Sequence, residues 1–385
     1  RVKNFFTRLP EILLLVLILT TPVQLGKHFW PSFAHVLGLR VDFLSPTVFF
    51  TDIVIFLLML SFLVRIFLTK KFPSTSLIFS FGIFLLTMVA ATIFSKNPQL
   101  SSWSLFKFFE FSILAIAISN LNFDKLNLKF SQVVTAAGIF SVVLATLQFW
   151  QQQSFGLGIL GERSFNLVTP GIAKIDFEGA QILRPYSTFP HPNVLAGFLT
   201  LAAIFIFFSK FSKITKFTIL SVLIFGLFLT FSRSAWLSLS VAGVIVAAFK
   251  FSWQKVLAGV IVFLLAVAIL QTIFPQNPLT SRFSQLGEND IHSAVLRKKL
   301  AKTAAKMFFE SPIAGVGPAN FIPNLPRFWD YEETIRFLQP VHNVPLLILA
   351  ETGIVGAAGF GFLLFGTFLN FFKNFKKIPA FVLPA

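Results

Sequence analysis

Long apolar runs recur along the whole chain, and they constrain its fold more than any other feature. Each run is about 17–23 residues long, which is the length that an α-helix needs to cross about 30 Å of hydrocarbon. Hydrophobic residues make up 55% of the chain and charged residues only 12%, a composition that does not describe a soluble domain. We therefore predict an all-α fold, that of a polytopic membrane protein with about ten transmembrane helices.

The apolar runs also predict how the chain is organised. We expect N-terminal transmembrane helices in 1–150, an outer loop in 151–192, central transmembrane helices in 193–273, a large outer loop in 274–341 and a C-terminal transmembrane helix in 342–385. The predicted crossings are 11–29, 46–68, 75–94, 102–119, 130–150, 193–209, 214–231, 234–249, 254–273 and 343–372. The last is glycine-rich and is either one tilted helix or a short re-entrant helix followed by a full span. Because the chain starts without Met and turns apolar again at its end, we expect it to be a fragment.

The net charge of +17 raises the question of a nucleic-acid partner, but the distribution of the charge argues against one. The basic residues form short clusters beside the apolar runs, on alternate connections. The positive-inside rule then makes the side that carries these clusters cytoplasmic, with some attraction to anionic membrane lipid. The clusters are Arg1/Lys3/Arg8, Lys70/Lys71, Lys125/Lys129, Lys210/Lys213/Lys216, Lys250/Lys255 and Lys373/Lys376/Lys377. The chain has no cysteine, which excludes disulfides, iron–sulfur clusters and thiolate chemistry.

Both long polar segments, 151–192 and 274–341, fall on the opposite, outer side. A polytopic chain has a reason to keep two such loops on one side if chemistry takes place there. Within the second loop, 291–310 has the periodicity of an amphipathic helix, with a basic stripe opposite an apolar one. The apolar stripe is Leu296, Leu300, Thr303 and Met307, and the basic stripe is Lys298, Lys302 and Lys306.

Two compatible interpretations of this helix remain open. It lies on the membrane surface, or Arg297 and Lys298 help to hold an anionic lipid head group. Gly315 and Gly317, which follow the helix, are expected to form a turn, because the pair is too short for a nucleotide-binding loop.

Two polar side chains stand out in the first outer loop. Three prolines in 184–193 make the end of this loop stiff, so that Arg184 and His191 point in fixed directions. Arg184 is either an interfacial arginine or a functional one, and His191 has the sequence context of a structural residue. Asn193 is predicted to be the N-cap of the next helix.

Two further residues are harder to explain by structure alone. Arg233 lies in a hairpin between two apolar spans, where an unpaired guanidinium is costly. His342 lies at the outer boundary, in a region with few other groups able to act as a base. Asn343 fits a helix N-cap or a partner in the same polar network, and Glu351 is placed to orient His342 or to cap that network.

Four motifs occur in an order and spacing that resemble the O-antigen ligase and O-antigen polymerase superfamily of bacterial envelope glycosyltransferases. The similarity is strongest over roughly 180–360, and the first 150 residues match only as a series of spans. The motifs are Arg184-Pro-Tyr-Ser-Thr-Phe-x-His-Pro-Asn193, Thr230-x-Ser-Arg-Ser-Ala-Trp236, Pro312-x-x-Gly-Val-Gly-Pro-x-Asn-Phe321 and His342-Asn-x-x-x-x-x-x-x-Glu-x-Gly353.

The resemblance implies an architecture similar to that of C-type glycosyltransferases. It also implies transfer of a glycan from a polyprenyl-diphosphate carrier at the outer face of the bacterial cytoplasmic membrane, without a metal ion or other cofactor. The acceptor would be lipid A–core for a ligase and another lipid-linked repeat for a polymerase. The functional residues of the family would fall on Arg184, Arg233 and His342. From the outer loops themselves we add the substrate-binding candidates Arg297, Lys298, Asn343, His191 and Glu351.

The residue types agree with this chemistry. A sugar hydroxyl that attacks an anomeric carbon needs a base, and His titrates near neutral pH. A diphosphate leaving group needs positive charge, which guanidinium groups supply through paired hydrogen bonds. The outer loops contain no Asp-x-Asp pair and no cluster with metal-ligand spacing, which disfavours metal-dependent catalysis.

Two alternatives from other classes remain, a transporter of lipid or glycan and a non-catalytic envelope protein. Transporters usually carry ionisable residues at mid-membrane depth. The candidates here are few: Asp52 lies near a span end, and Lys107 and Glu110 are spaced to neutralise each other.

Overall fold

The computed structural model describes residues 2–73, 77–177, 180–250, 252, 254, 288–329 and 338–375. The prediction of a mostly helical membrane-type chain is confirmed. In the part of the chain that the structure describes, four helices are long and apolar enough to cross a membrane. They are Phe50–Thr69, Pro98–Ser119, Lys125–Gln151 and Val344–Asn370. The count of ten crossings stays a prediction, and nearly all of the run expected at 254–273 lies outside the described residues.

The helices follow the predicted apolar runs closely in the middle of the chain. In the N-terminal half they are α1 (Val2–Thr20), α2 (Phe50–Thr69), α3 (Leu77–Ile93), α4 (Pro98–Ser119) and α5 (Phe123–Gln151). In the C-terminal half they are α6 (Pro192–Phe207), α7 (Lys213–Leu229), α8 (Arg233–Lys250), α9 (Glu288–Glu310), α10 (Phe321–Phe328) and α11 (Val344–Phe375).

The expectation of an all-α fold is wrong in detail, because the polar connections contain three small antiparallel sheets. These connections lack helical periodicity, and their backbone groups pair as short antiparallel strands instead. The pairs are β1 (Gly26–His28) with β4 (Thr47–Phe49), β2 (His35–Val36) with β3 (Leu39–Arg40), and β5 (Lys174–Phe177) with β6 (Ala180–Leu183).

The predicted first crossing, 11–29, is also wrong in its bounds. Helix α1 starts at Val2 and ends at Thr20, and the chain then leads into β1. Pro22 explains the early end, because proline has no N–H to donate and disfavours the helical conformation in the residue before it. Apolar residues beyond that point therefore belong to a connection rather than to a span.

Helix α11 is interrupted at Gly353, where φ is 62° and ψ is −165°. This backbone region is essentially restricted to glycine. A short helix therefore precedes a longer one, which agrees with the second of the two interpretations given above for this segment. The predicted glycine turn is also present, with φ values of 69° at Gly315 and 109° at Gly317.

The glycine turn and the helix break are bonded to each other. The break leaves the Ala350 and Glu351 carbonyls without their helical partners, and they accept hydrogen bonds from the backbone nitrogens of Val316 at 3.0 Å and Gly317 at 2.8 Å. In return, the backbone nitrogen of Ile354 donates to the Pro312 carbonyl at 2.8 Å. We call this arrangement the glycine clamp. It fixes the segment after α9 against α11.

The described side chains form two main apolar clusters. One lies among α1, α2 and α5–α8, and includes Leu58, Leu195 and Leu223. The other joins α9, α10 and α11 to the connection between α1 and α2. The predicted apolar stripe of α9 belongs to this second cluster, with Leu300 1% exposed and Met307 0% exposed. The interpretation that this stripe faces the membrane surface is therefore wrong, because protein side chains cover it.

Candidate active site

The end of the first outer loop is held in place by one buried glutamine. Gln148, near the end of α5, accepts hydrogen bonds from the backbone nitrogens of Tyr186 at 2.9 Å and Ser187 at 2.7 Å. Its side-chain nitrogen donates to the Ser187 carbonyl and to Glu162, both at 2.7 Å. Gln148 is fully buried, and so is Ser187, which has a φ of 54°. The position of Arg184 and of His191 is thus set by a polar residue inside an apolar helix.

Arg184 is buried and links this loop to the turn between α7 and α8. Its Nε donates to the Thr230 carbonyl at 2.8 Å, and its Nη2 donates to Asn193 Oδ1 at 2.7 Å. Both acceptors are neutral, so they orient the guanidinium without cancelling its charge. Asn193 serves as a partner of Arg184 here, and its predicted role as a helix N-cap is wrong.

His191 takes that role instead. Its Nδ1 accepts a hydrogen bond from the Asn193 backbone nitrogen at 3.1 Å, which satisfies one of the unpaired N–H groups at the start of α6. The structural role expected for His191 is therefore present. Burial, followed by the nearby Arg184, His342 and Arg163, lowers the pKa of His191 from 6.5 to about 4. The ring is therefore neutral at pH 7.

His342 lies just before α11, and its side chain is exposed. Its Nε2 is 3.3 Å from Gln339 Oε1. Partial desolvation and then the charge of Arg297 lower the pKa of His342 below its usual value of 6.5. Asn343 is the N-cap of α11, because its Oδ1 accepts a hydrogen bond from the Leu346 backbone nitrogen at 3.0 Å. This cap orients the segment that carries His342.

Electrostatic interactions link ionisable residues of four chain segments. After burial, the charges of Arg184, His342 and Arg163 further lower the pKa of His191. The charge of Arg297, from α9, lowers the pKa of His342 in addition to partial burial. The result is two neutral histidines among arginines, in a region where an anion is favoured and a histidine stays unprotonated at neutral pH.

Arg233 is the first residue of α8 and is half-buried. It follows Thr230, whose carbonyl holds Arg184, so both arginines are attached to the same tight turn. Phe231 adopts a φ of 51° in this turn. The predicted hairpin between two apolar helices is thus present, and its geometry depends on Arg184.

The structure does not bring Glu351 to the histidines. Its two carboxylate oxygens accept hydrogen bonds from the backbone nitrogens of Ala319 at 2.9 Å and Phe321 at 3.0 Å, at the start of α10. Glu351 therefore caps a short helix and strengthens the glycine clamp, and the expectation that it orients His342 is wrong. Lys298 lies on α9 next to Arg297, and both side chains are exposed.

Sequence reasoning missed Arg163, Gln148 and Glu162. Arg163 is exposed on the first outer loop and acts on His191. The sequence signal for Arg163 was its position in an outer loop, where the positive-inside rule disfavours basic residues. The signal for Gln148 was a large amide in an otherwise apolar helix, and such groups need buried partners. No local signal marks Glu162.

An apolar cavity of about 740 Å³ lies among the end of α5, β6 and the end of α7. Gln152, Ile182 and Leu229 line it, close in the chain to Gln148, Arg184 and Thr230 respectively. Most of its lining is aromatic or aliphatic, with Phe149, Trp150, Leu167 and Phe225 among the remaining members. Such a cavity suits a hydrocarbon chain better than a sugar.

Three charged side chains of α2 and α4 pair with one another. Lys107 Nζ is 2.7 Å from Glu110 Oε2 and 2.9 Å from Asp52 Oδ1. The expected pairing of Lys107 with Glu110 is confirmed, and Asp52 joins it. Among the described residues, no group of three or more His, Asp or Glu side chains is placed to hold a metal ion.

The apolar helices are those of a multi-pass membrane protein, and the basic residues and histidines of the site lie at or beyond their ends. Residues 217–361 match the family model described as O-antigen ligase, so the resemblance to the O-antigen ligase and polymerase superfamily is confirmed. The match includes Arg233, Arg297 and His342, and it begins after Arg184 and His191. A comparison with curated proteins gave no match.

Proposed function

We propose that this protein transfers a glycan from a polyprenyl-diphosphate carrier to an acceptor hydroxyl at the outer face of the bacterial cytoplasmic membrane. The observation that carries the proposal is the electrostatic interaction of His342 with His191, which lies in the same loop end as Arg184, in a chain with an O-antigen ligase match over 217–361. The five-part division of the chain and the outward direction of the site belong to the same proposal.

His342 is the proposed base. It is exposed, and its lowered pKa keeps the ring neutral at pH 7. The ring takes the proton of the acceptor hydroxyl while the hydroxyl oxygen forms a bond to the anomeric carbon. The bond from that carbon to the diphosphate oxygen breaks, and the diphosphate leaves with its electron pair. Inversion at the anomeric carbon follows, because the nucleophile and the leaving group occupy opposite faces.

Arg233 is the proposed contact to the departing diphosphate. Its place at the start of α8 adds the positive end of the helix dipole to the guanidinium charge. Arg184 holds the turn before Arg233 through the Thr230 carbonyl, and its own charge adds to the positive potential. Arg297 and Lys298 extend this potential along the exposed side of α9, where a lipid or glycan phosphate would pass.

The apolar cavity is the proposed binding place of the start of the polyprenyl chain. Its lining includes Ile182, two residues before Arg184, and Leu229, four residues before Arg233. This arrangement would keep the hydrocarbon in the helical bundle and the diphosphate next to the arginines. Binding the hydrocarbon and binding the diphosphate do not require a metal ion, because the arginines supply the positive charge.

The test is glycan transfer by purified protein with a lipid-linked donor. His342→Ala and Arg233→Ala should each abolish transfer while expression and membrane insertion stay intact. Removal of one preorganised contact to developing charge typically costs about 10²–10³ in rate. Lys213→Ala is a matched control, because it removes one exposed cation at the start of α7, at the other end of that helix from the turn that carries Arg233. Full activity of either site variant would overturn the assignment.

The polymerase is the alternative with the same chemistry. A ligase moves the glycan to a different acceptor, whereas a polymerase lengthens a lipid-linked glycan. The site residues serve both reactions, so the product of the same assay decides between them. Transport without bond formation would leave the donor chemically unchanged and would exclude both.

A further inference from the structure

A second cavity, of about 810 Å³, lies among the N-terminal part of α1, the C-terminal part of α2 and the start of α5. Its lining is strongly basic, with five cationic side chains and one carboxylate. The charged members are Arg8, Arg65, Lys71, Lys125, Lys129 and Glu11.

This cavity is at the opposite end of α5 from the candidate active site. Lys129 and Gln148 are 19 residues apart in one helix, which corresponds to about 28 Å at the α-helical rise. The Lys210 backbone nitrogen donates to Asn127 Oδ1 at 2.9 Å, so a further basic cluster lies at the same end. By the positive-inside rule this end is the cytoplasmic one. The cavity is therefore separate from the site of glycan transfer.

Arg65 is the most informative residue of the cavity. It lies inside the apolar helix α2, and its nearest carboxylate oxygen, Glu11 Oε1, is 3.8 Å from Nη1. That distance is too long for a hydrogen bond. Arg65 Nη1 is buried, and no residue in the described part of the chain accepts a hydrogen bond from it. A buried guanidinium nitrogen with no acceptor is costly, so the cavity favours an anionic ligand with oxygen atoms.

The remaining lining indicates what kind of anion fits. Leu15, Phe62 and Ile66 form an apolar wall beside the cations. Ile12, which also lines the cavity, is 45% exposed. A ligand with a charged phosphate and an apolar part would match both surfaces, and Arg binds phosphate oxygens in pairs while Lys contributes point charges.

We propose that this cavity binds a negatively charged phosphate group on the cytoplasmic side, at a place remote from glycan transfer. A phospholipid head group and a free phosphate share this chemistry. The experiment below distinguishes the two sources, and it measures binding rather than transfer. His342→Ala should therefore bind as the wild type does, which separates a failure of this proposal from a failure of the proposed function.

The experiment measures thermal unfolding of the purified full chain in neutral detergent. Added phosphatidylglycerol should raise the unfolding temperature, and added phosphatidylcholine should not. An equal rise with millimolar inorganic phosphate would identify a soluble phosphate ligand and would support the site in that form. No rise with either anion would overturn the proposal.

Variants locate the effect within the molecule. Arg65→Gln should weaken the apparent affinity for the anion about tenfold or more, because a charged hydrogen-bonding group is lost. Lys125→Gln with Lys129→Gln removes two exposed cations and serves if Arg65→Gln does not fold. Lys213→Gln is the matched control, since it removes one exposed cation near the same end but outside the cavity. An equal loss of anion affinity in the control variant, or no loss of anion affinity in the cavity variants, would refute the site.

Discussion

The glycine clamp makes a strong prediction about Gly353. In Gly353→Ala the new Cβ would lie 2.2 Å from the Ile313 carbonyl oxygen and 2.4 Å from its carbonyl carbon. These are backbone atoms, so no side-chain rotation relieves the clash. The φ of 62° with ψ of −165° is itself strained for alanine. The segment after α9 must therefore move away from α11.

The magnitude follows from these two effects. Backbone strain in this region costs about 1–3 kcal/mol. Moving the segment also weakens the three hydrogen bonds of the clamp, each with a net contribution of about 1 kcal/mol. We expect a loss of about 3–5 kcal/mol in the free energy of unfolding, and a fall in the unfolding temperature on the order of 5–10 °C.

Gly361→Ala is the matched control, because it makes the same change in the same helix. No atom lies within 4 Å of the Cβ that it would add. Alanine is better than glycine inside a helix by about 0.5–1 kcal/mol, so this variant should be as stable as the wild type or slightly more stable. The assay is thermal unfolding in detergent, followed by tryptophan fluorescence. Equal unfolding temperatures for the two variants would refute the clamp.

Three further predictions concern the candidate site. Arg184→Lys should lower the rate of glycan transfer about 10²-fold. One ammonium group cannot replace the guanidinium, which donates to both the Thr230 carbonyl and Asn193. A wild-type rate in this variant would show that Arg184 has only a structural role. Because the folded pKa of His191 is lowered to about 4 from 6.5, stability is fully present above pH 6.5 and is lost as the pH falls toward 4. His191→Asn keeps an N-cap but cannot titrate. In unfolding curves measured across this pH range, its stability should therefore not show the decrease caused by His191. An unchanged decrease would contradict the lowered pKa of His191. Glycan transfer should persist in excess chelator, and its loss would reinstate a metal ion.

The apolar runs predicted most of the helices, because burial in lipid requires a length and a composition that any window along the sequence can detect. The errors lie where local chemistry overrides hydropathy. Pro22 ends α1 before its apolar run is complete, and the connection that follows pairs β1 with β4. Hydropathy also assigned the apolar stripe of α9 to the membrane, although Leu300 and Met307 are covered by protein. Periodicity identifies an apolar face, but it does not say what covers that face.

The candidate site shows the same division. Arginine and histidine were predictable because they are rare and costly at the ends of apolar helices. Their partners were not, because Gln148 and Glu162 act through contacts with residues 14 to 39 positions away. The sequence analysis chose Asn193 as the helix N-cap, although the N-cap is His191. Either side chain can cap a helix, and Asn193 is instead the hydrogen-bond partner of Arg184.

The residues of the four motifs therefore fall into two groups: those proposed to take part in the reaction and those that hold the backbone in place. Gly315, Gly317, Glu351 and Gly353 belong to two separate motifs, which are joined by the backbone hydrogen bonds of the clamp and by those that the Glu351 carboxylate accepts. His342 begins the second of these motifs, on the same segment as the helix break. Its distance from the clamp is therefore set by the short first part of α11, about nine residues or about 13 Å at the helical rise. A change at Gly353 should for this reason alter glycan transfer as well as stability, even though no glycine of the clamp contacts His342.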